Sequence, residues 1–276
     1  MHWFLTGPLT VERVTVPIAD LPPALNRLKI VQMSDFHWDG LRLSRQLLQQ
    51  AIAASNREYP DLILLTGDYV TRSPQPIHHL CQALQTLQSR YGIYAVLGNH
   101  DLVYGNSRRE ITQALETIGV QVLWNQVCYP LGVGLAIAGL AEKSSRQFQP
   151  QTVFSSIPTS TPRIVLAHNP DSAIALQPYR VDLQLSGHTH GGQILIPGMG
   201  PLPAWVAQQY RQLPSPIKHL FPRLRKLDGT LQNWQWHQGL HTVGQNQLYI
   251  NRGLGTYLPG RFLCTPEVTV ITLQQG

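Results

Sequence analysis

The sequence has little charge, few cysteines and no long apolar run. Only 13% of its 276 residues are charged, against a usual share of about 25%. Its hydrophobic content of 43% and net charge of +6 exclude the polar, highly charged composition of a disordered chain. The three cysteines are widely spaced and form no CxxC pair, which excludes a disulfide framework and a four-cysteine zinc site and favours a reducing compartment.

The longest apolar stretch, Leu131 to Ala141, is interrupted by glycines and is too short to cross a bilayer. The N-terminal residues show neither the basic start nor the apolar run of a secretion signal. We therefore expect a cytoplasmic protein, with peripheral contact at the inner face of the membrane as a further hypothesis.

Histidine is abundant relative to the acidic residues: the chain has 11 histidines and 15 aspartates and glutamates together. Since histidine is the commonest transition-metal ligand, the positions of these residues matter. Five polar motifs each follow a predicted strand, where ligands of open α/β sheets bind. They are Asp35-Phe36-His37, Gly67-Asp68, Gly98-Asn99-His100-Asp101, His168-Asn169-Pro170-Asp171 and Gly187-His188-Thr189-His190.

The spacing within these motifs suits metal binding. Residues two apart in extended backbone point to the same side, so Asp35 with His37, and His188 with His190, can each offer two ligands to one cleft. Together with Asp68, Asn99 and His168 they make seven nitrogen or oxygen ligands, too many for one tetrahedral zinc. The set fits two divalent transition metals, which can be Mn, Fe or Zn, with Mn favoured.

The apolar patterns alternate between strands and helices in the first half of the chain, which predicts parallel strands with right-handed crossovers. The second half is richer in strands. We expect an N-terminal extension over residues 1–27 and one domain over 28–276, with a Pro- and Trp-rich basic insertion at about 197–240. The predicted strands and helices of the first half cover 28–33, 43–56, 61–65, 77–89, 93–97 and 108–118.

The order of the five motifs resembles the calcineurin-like metallophosphoesterase superfamily, from Asp35 to His190. The tail, with Asn251-Arg252-Gly253-Leu254-Gly255 and Arg261-Phe262, is similar to a bacterial subgroup related to the YkuE and YaeI phosphodiesterases. The resemblance implies a four-layer α/β/β/α sandwich with two mixed β-sheets.

The resemblance also implies residue roles. Asp35, His37 and His190 would bind the first metal, Asn99, His168 and His188 the second, and Asp68 would bridge both. His100 would lie beside the phosphoryl group, oriented by Asp101. Arg252 is a candidate for substrate binding, alongside Asn99 and His100, or for stabilising a turn.

The implied function is a dinuclear phosphoester hydrolase in which a metal-bridging hydroxide attacks a phosphodiester or pyrophosphate. The subgroup favours a lipid-linked substrate such as UDP-2,3-diacylglucosamine. The alternative is a non-catalytic, metal-stabilised scaffold that binds a protein or membrane partner. Nothing in the sequence indicates a specific nucleic acid or an obligate protein partner.

The insertion suggests contact with an anionic membrane. Apolar residues follow helical spacing over 215–227, with Ser215 as a candidate cap, and basic residues lie mostly off that stripe. A lid packed on the core is the other interpretation. The candidate contacts are Trp205, Lys218, Phe221, Arg223, Arg225, Lys226 and Trp234.

Overall fold

The computed structural model describes residues 6–221, 224 and 231–276. The strands are β1 (Thr10–Ile18), β2 (Lys29–Met33), β3 (Leu62–Leu65), β4 (Ile93–Ala95), β5 (Val120–Val122), β6 (Gln126–Cys128), β7 (Ala136–Gly139), β8 (Arg163–Leu166), β9 (Leu183–Ser186), β10 (Leu195–Ile196), β11 (Gly200–Pro201), β12 (Gly239–Val243), β13 (Asn246–Ile250) and β14 (Glu267–Gln275). The α-helices are α1 (Arg45–Arg57), α2 (Ile77–Leu84), α3 (Ser107–Thr117), α4 (Pro150–Phe154), α5 (Ser172–Leu176), α6 (Leu202–Gln212) and α7 (Ser215–Lys218).

Two six-stranded mixed sheets organise the fold. The first has the order β1-β14-β2-β3-β4-β5, and the second β12-β13-β9-β8-β7-β6. Strands β2 to β5 run parallel, as do β7, β8, β9 and β13. Continuous apolar runs such as β3, buried at all four positions, are typical of parallel strands covered on both faces.

The layers follow from where the apolar side chains are buried. One core lies between the sheets and joins Ile30 and Leu64 of the first to Ile164 and Leu185 of the second. A second core packs α1, α2 and α3 on the outer face of the first sheet. A third packs α4 and α5 on the outer face of the second. The predicted α/β/β/α sandwich is confirmed.

The described residues refine the predicted boundaries. The 1–27 segment is not wholly an extension, because Thr10–Ile18 pairs in parallel with Glu267–Gln275 at the edge of the first sheet. Within the 197–240 segment, α6 and α7 are helical, and β12 already begins at Gly239. Of the described residues in the 215–227 pattern, Ser215–Lys218 and Leu224 are α-helical. Pro214, not Ser215, precedes the first turn of Ser215–Lys218.

Candidate metal centre

The five motifs meet where strands of both sheets end. Asp35 and His37 follow β2, Asp68 follows β3, and Asn99 follows β4, all in the first sheet. The remaining predicted ligands come from the second sheet: His168 follows β8, and His188 and His190 follow β9. The site therefore lies on a rim that the two sheets share.

Asp35, His37 and His190 form one group of candidate ligands. The Nε2 atoms of His37 and His190 lie 3.0 Å apart, and Asp35 Oδ1 is 3.4 Å from His190 Nε2. All three side chains are buried. These ligand atoms lie close enough together to hold one ion.

Asp68, His168 and His188 form a second group. Asp68 Oδ2 is 3.2 Å from His168 Nε2, and His188 Nδ1 is 3.2 Å from the same nitrogen. The same Asp68 oxygen also lies 3.4 Å from His37 Nε2 of the first group. One carboxylate oxygen thus stands between the two groups.

Asn99 supplies an independent indication that this site suits a cation. Its side-chain Oδ1 is buried and accepts no hydrogen bond from the described part of the chain. A buried acceptor without a partner costs about 1–3 kcal/mol. An ion would satisfy this oxygen, and the mixed imidazole, amide and carboxylate donors fit transition metals.

Backbone carbonyls fix the tautomers of two of these histidines. His168 Nδ1 lies 2.7 Å from the Thr66 carbonyl, and His190 Nδ1 lies 3.1 Å from the Gly255 carbonyl. Since a carbonyl only accepts, Nδ1 carries the proton in both rings, which leaves the Nε2 lone pairs facing the site.

Burial prepares the first group for a cation. Desolvation lowers the pKa of both His37 and His190 to about 3, so both rings are neutral near pH 7. At His168 burial acts in the same direction, but the adjacent Asp68 carboxylate outweighs it and raises the pKa to about 10. A metal at the second group would displace that proton.

The backbone at the candidate ligands is strained. Five of them have left-handed φ values between 44° and 73°: Asp35, His37, Asp68, His188 and His190. Such conformations cost on the order of 1 kcal/mol or more each in residues other than glycine and concentrate at functional sites. The surrounding contacts therefore hold these side chains in place against a local preference.

The structure corrects the role predicted for Asp101. The ring of His100 is fixed by the Thr71 carbonyl, 2.6 Å from Nδ1, rather than by Asp101. The two oxygens of Asp101 instead accept backbone N–H groups from four residues in two loops, namely Asp68, Tyr69, Val70 and Gly98. Burial and the Asp68 charge act to raise the pKa of Asp101, and the N–H donors from Gly98 and Val70 act to lower it. Asp101 thus ties the loop of Asp68 to the loop of Asn99.

We expect Asp101→Asn to destabilise the protein by about 2–4 kcal/mol, because the new NH2 group cannot accept two buried N–H donors. Urea unfolding measures this loss. The control is Asp20→Asn, whose largely exposed side chain pairs with Arg180 at the surface and should change stability little. Equal unfolding midpoints for the two variants would contradict the assigned role.

The contacts of Arg252 favour a structural role, the stabilisation of a turn, over the binding of substrate. Its Nη2 lies 2.8 Å from Glu12 Oε1, its Nε lies 3.0 Å from Glu267 Oε2, and Nε also donates to the Thr265 carbonyl. The guanidinium thus joins β1 to the start of β14. These partners occupy it, so substrate binding by Arg252 stays a prediction that its contacts do not favour.

Tyr257 is a site residue that the sequence did not reveal. Its hydroxyl lies 3.1 Å from His37 Nδ1, and its ring packs edge-on against the rings of His37 and His190. The Arg42 guanidinium lies 4.3 Å from the centre of the same ring. Tyr257 follows β13, which runs parallel to β9 and so ends at the same rim. Only the pairing of β13 with β9 could have indicated that Tyr257 lies at the site.

The contacts continue from Arg42 to the other side of the site. Arg42 pairs with Asp39, and Asp39 Oδ2 accepts the Thr71 hydroxyl at 2.9 Å. The carbonyl of Thr71 in turn contacts the His100 ring. One chain of polar contacts therefore connects a candidate metal ligand, His37, with the candidate phosphoryl contact, His100.

We expect Tyr257→Phe to weaken metal binding about tenfold or more, because loss of an outer partner of a ligating histidine typically costs 10–100-fold. Isothermal titration of the metal-free protein with Mn²⁺ measures this affinity. Tyr59→Phe, at a tyrosine that is 87% exposed, is the control. Unchanged affinity in Tyr257→Phe would show that the hydroxyl does not orient His37.

The candidate membrane contacts are only partly exposed. Trp205 and Phe221 are 41% and 45% exposed. Lys218 Nζ donates to the Arg211 carbonyl, and the indole N–H of Trp234 is buried. Arg223, Arg225 and Lys226 lie outside the described residues. None of the helices in the described part of the chain combines the length and apolar content needed to cross a bilayer.

Comparison with known proteins agrees with this geometry. The family model described as calcineurin-like phosphoesterase matches residues 28–192. "Uncharacterized metallophosphoesterase YkuE" of Bacillus subtilis is 31% identical over 267 residues, covering 94% of this chain and 84% of the relative.

Two further relatives carry activities in their names. "Phosphodiesterase YaeI" of Escherichia coli is 30% identical, and the match covers 89% of this chain and 82% of the relative. "UDP-2,3-diacylglucosamine pyrophosphatase LpxG" of Chlamydia trachomatis is 28% identical, and the match covers 90% of this chain and 84% of the relative. With its motifs gathered at one rim of the expected sandwich, the chain belongs to the calcineurin-like phosphoesterase family and is a metallophosphoesterase.

Proposed function

We propose that the protein is a dinuclear metal-dependent hydrolase of a phosphodiester or pyrophosphate. The observation that carries the proposal is the position of Asp68 Oδ2, which lies 3.4 Å from His37 Nε2 and 3.2 Å from His168 Nε2. A carboxylate oxygen between two ligand groups suits a bridge between two ions. Three residues would complete each side: Asp35, His37 and His190 on one, and Asn99, His168 and His188 on the other.

Two bound divalent ions, with Mn²⁺ favoured over Fe and Zn, would lower the pKa of a shared water and offset charge on the phosphoryl oxygens. The chain's own contribution is to fix the ligand atoms. Asp35 accepts the His188 backbone N–H at 3.0 Å, and Asp68 Oδ1 accepts the His100 N–H at 2.8 Å. These bonds hold the carboxylates, so little rearrangement would accompany metal binding.

His100 is the proposed contact to the phosphoryl group. Its ring packs edge-on against His37, with 4.8 Å between ring centres. Since Nδ1 donates to the Thr71 carbonyl, Nε2 is the nitrogen left for substrate or, when protonated, for charge stabilisation. Asn99, the preceding residue, would contact both metal and substrate.

We further propose a lipid-linked substrate of the UDP-2,3-diacylglucosamine type, hydrolysed by a cytoplasmic protein held peripherally at the inner membrane face. The support is the name of the Chlamydia trachomatis relative together with the exposure of Trp205 and Phe221. A screen of lipid and nucleotide diphosphates with the Mn²⁺-loaded enzyme tests this choice. Turnover of soluble diesters alone would contradict it.

The test of the hydrolase itself is His100→Gln. We expect turnover of bis-p-nitrophenyl phosphate with Mn²⁺ to fall about 10²–10⁴-fold, the usual range for loss of a proton donor. Metal content, measured by mass spectrometry of the protein, should stay unchanged. His78→Gln, at an exposed histidine of α2, is the matched control.

Two outcomes would contradict these assignments. Loss of metal in His100→Gln would make His100 a ligand rather than a substrate contact. Metal binding by the unaltered protein without hydrolysis of any phosphoester would favour the non-catalytic scaffold.

A further inference from the structure

The carbonyl that fixes the His100 ring lies just beyond the part of its loop that Asp101 holds. In the described part of the chain, Asp101 accepts backbone N–H groups from residues 68–70 of this loop. The next residue is Thr71, whose carbonyl lies 2.6 Å from His100 Nδ1. The position of this carbonyl therefore depends on contacts other than those of Asp101.

The side chain of Asp39 supplies such a contact. Thr71 is buried, and its hydroxyl donates to Asp39 Oδ2 at 2.9 Å. Asp39 lies on the neighbouring loop, two residues after the candidate ligand His37. The two loops also pair through their backbones, since the N–H groups of residues 37–38 donate to the carbonyls of residues 68–69. The hydroxyl contact extends this pairing to Thr71.

The Asp39 carboxylate is itself held by several partners. Its Oδ1 accepts the backbone N–H groups of Leu41 and Arg42 at 2.9 and 3.0 Å, and its Oδ2 pairs with the Arg42 guanidinium. That guanidinium packs on the ring of Tyr257. Since rotation of the carboxylate would break these bonds, Asp39 can hold the Thr71 hydroxyl at a defined place.

We propose that Asp39 is a positioning residue for the reaction: through the Thr71 hydroxyl it sets the carbonyl that aims His100 Nε2 at the phosphoryl group. The inference rests on the proposed hydrolase function and names how its proton donor is held. Because a carbonyl only accepts, Nδ1 carries the ring proton, and the direction of the Nδ1–H bond determines where Nε2 points. A displacement of about 1 Å can cost about 10²-fold in rate, so a hydroxyl that only fixes this carbonyl can govern turnover.

Thr71→Val tests the proposal, because it removes the hydroxyl and keeps the size of the side chain. With bis-p-nitrophenyl phosphate and Mn²⁺ we expect kcat to fall about 10- to 100-fold, while KM and metal content stay nearly unchanged. Thr71→Ser keeps the hydroxyl and should restore kcat almost fully. The loss in Thr71→Val should not exceed that in His100→Gln, since it acts through His100.

Thr86→Val is the matched control. The Thr86 hydroxyl also donates one hydrogen bond, to the Ala83 carbonyl at 2.7 Å. Thr86 lies between α2 and β4, however, and so at the end of the parallel strands opposite the site. The kcat of this variant should equal that of the unaltered protein. Unchanged kcat in Thr71→Val, or an equal loss in Thr86→Val, would overturn the proposal.

Combined variants separate positioning from general damage. If Thr71 acts through His100, Thr71→Val should cost almost nothing further in the His100→Gln protein. Asp39→Ala should lower kcat at least as far as Thr71→Val, and the two together no further than Asp39→Ala alone, because both break the same contact. An undiminished effect of Thr71→Val in the His100→Gln protein would overturn the proposal by making the loss structural. Additive losses for Asp39→Ala and Thr71→Val would overturn the role of Asp39.

A histidine-ring NMR signal tests the contact without hydrolysis. In the Zn²⁺-loaded protein, which has no paramagnetic broadening from the metal, the Nδ1 proton of His100 is identified by its absence in His100→Gln. This proton should exchange with water about tenfold faster in Thr71→Val than in the unaltered protein, because a less constrained carbonyl protects it less. Equal exchange in the two proteins, with hydrolysis by the unaltered one, would overturn the positioning alone. Faster exchange in Thr71→Val, without hydrolysis of any phosphoester by the unaltered protein, would overturn the hydrolase function and leave the positioning of the ring intact.

Discussion

Asp68→Asn is expected to reduce hydrolysis of bis-p-nitrophenyl phosphate by about 10³-fold or more, equivalent to roughly 4 kcal/mol of transition-state stabilisation. The substitution keeps the size of the side chain and removes the charge of the oxygen between the two ligand groups. Burial disfavours the carboxylate, but His168, His100 and His37 hold the pKa of Asp68 well below its usual range. The native carboxylate is therefore present as an anion where two cations would share it.

Metal analysis decides whether the loss has the expected cause. Asp68→Asn should retain less than the full metal content of the unaltered protein after the same Mn²⁺ loading and desalting. Asp20→Asn removes a carboxylate charge from a side chain that is 68% exposed and should keep both metal and activity. Full metal content with near-normal turnover in Asp68→Asn would refute the bridging assignment.

Gly187→Ala should lower both stability and activity sharply, by about 3 kcal/mol and about 100-fold. A Cβ at Gly187 would overlap Ser34 Oγ and Asp35 Oδ2. Overpacking of a buried position costs about 1–3 kcal/mol. Any displacement of Asp35 would also misplace its ligand oxygens, and errors of about 1 Å can cost about 10²-fold in rate.

Gly105→Ala is the matched control. A Cβ there meets no atom of the described residues within 4 Å, and the backbone is not left-handed. Its effect on unfolding in urea should stay within about 0.5 kcal/mol or be slightly stabilising. If Gly187→Ala unfolds at the same urea concentration as Gly105→Ala and keeps its activity, close approach at Gly187 does not shape the site.

The sequence could predict that the five motifs meet at one rim, because a topological rule places them there. Polar residues directly after parallel strands must meet at one rim, whatever the details of packing. Crowding at this rim accounts for Gly98 and Gly187 directly before candidate ligands: a Cβ at Gly98 would overlap Asp68 Oδ1, just as one at Gly187 would overlap Asp35.

The outer contacts escaped prediction because they join distant segments. The Tyr257 hydroxyl meets a ring 220 positions earlier in the chain, and no local pattern marks it. The family resemblance implied that Asp101 orients His100, yet the Asp101 carboxylate accepts backbone N–H groups of another loop. The β1 strand was missed for a related reason, since its partner β14 lies at the far end of the sequence.

Because the two sheets each supply part of the ligand set, the complete site exists only after they have packed together. Each of the two groups takes ligands from both sheets, so an ion can bind either group fully only in the native chain, and free metal shifts the folding equilibrium toward that state by mass action. The melting temperature should therefore climb with metal concentration, and a chelator should reverse the effect. In a cell, metal supply would then govern the lifetime of this protein as well as its turnover.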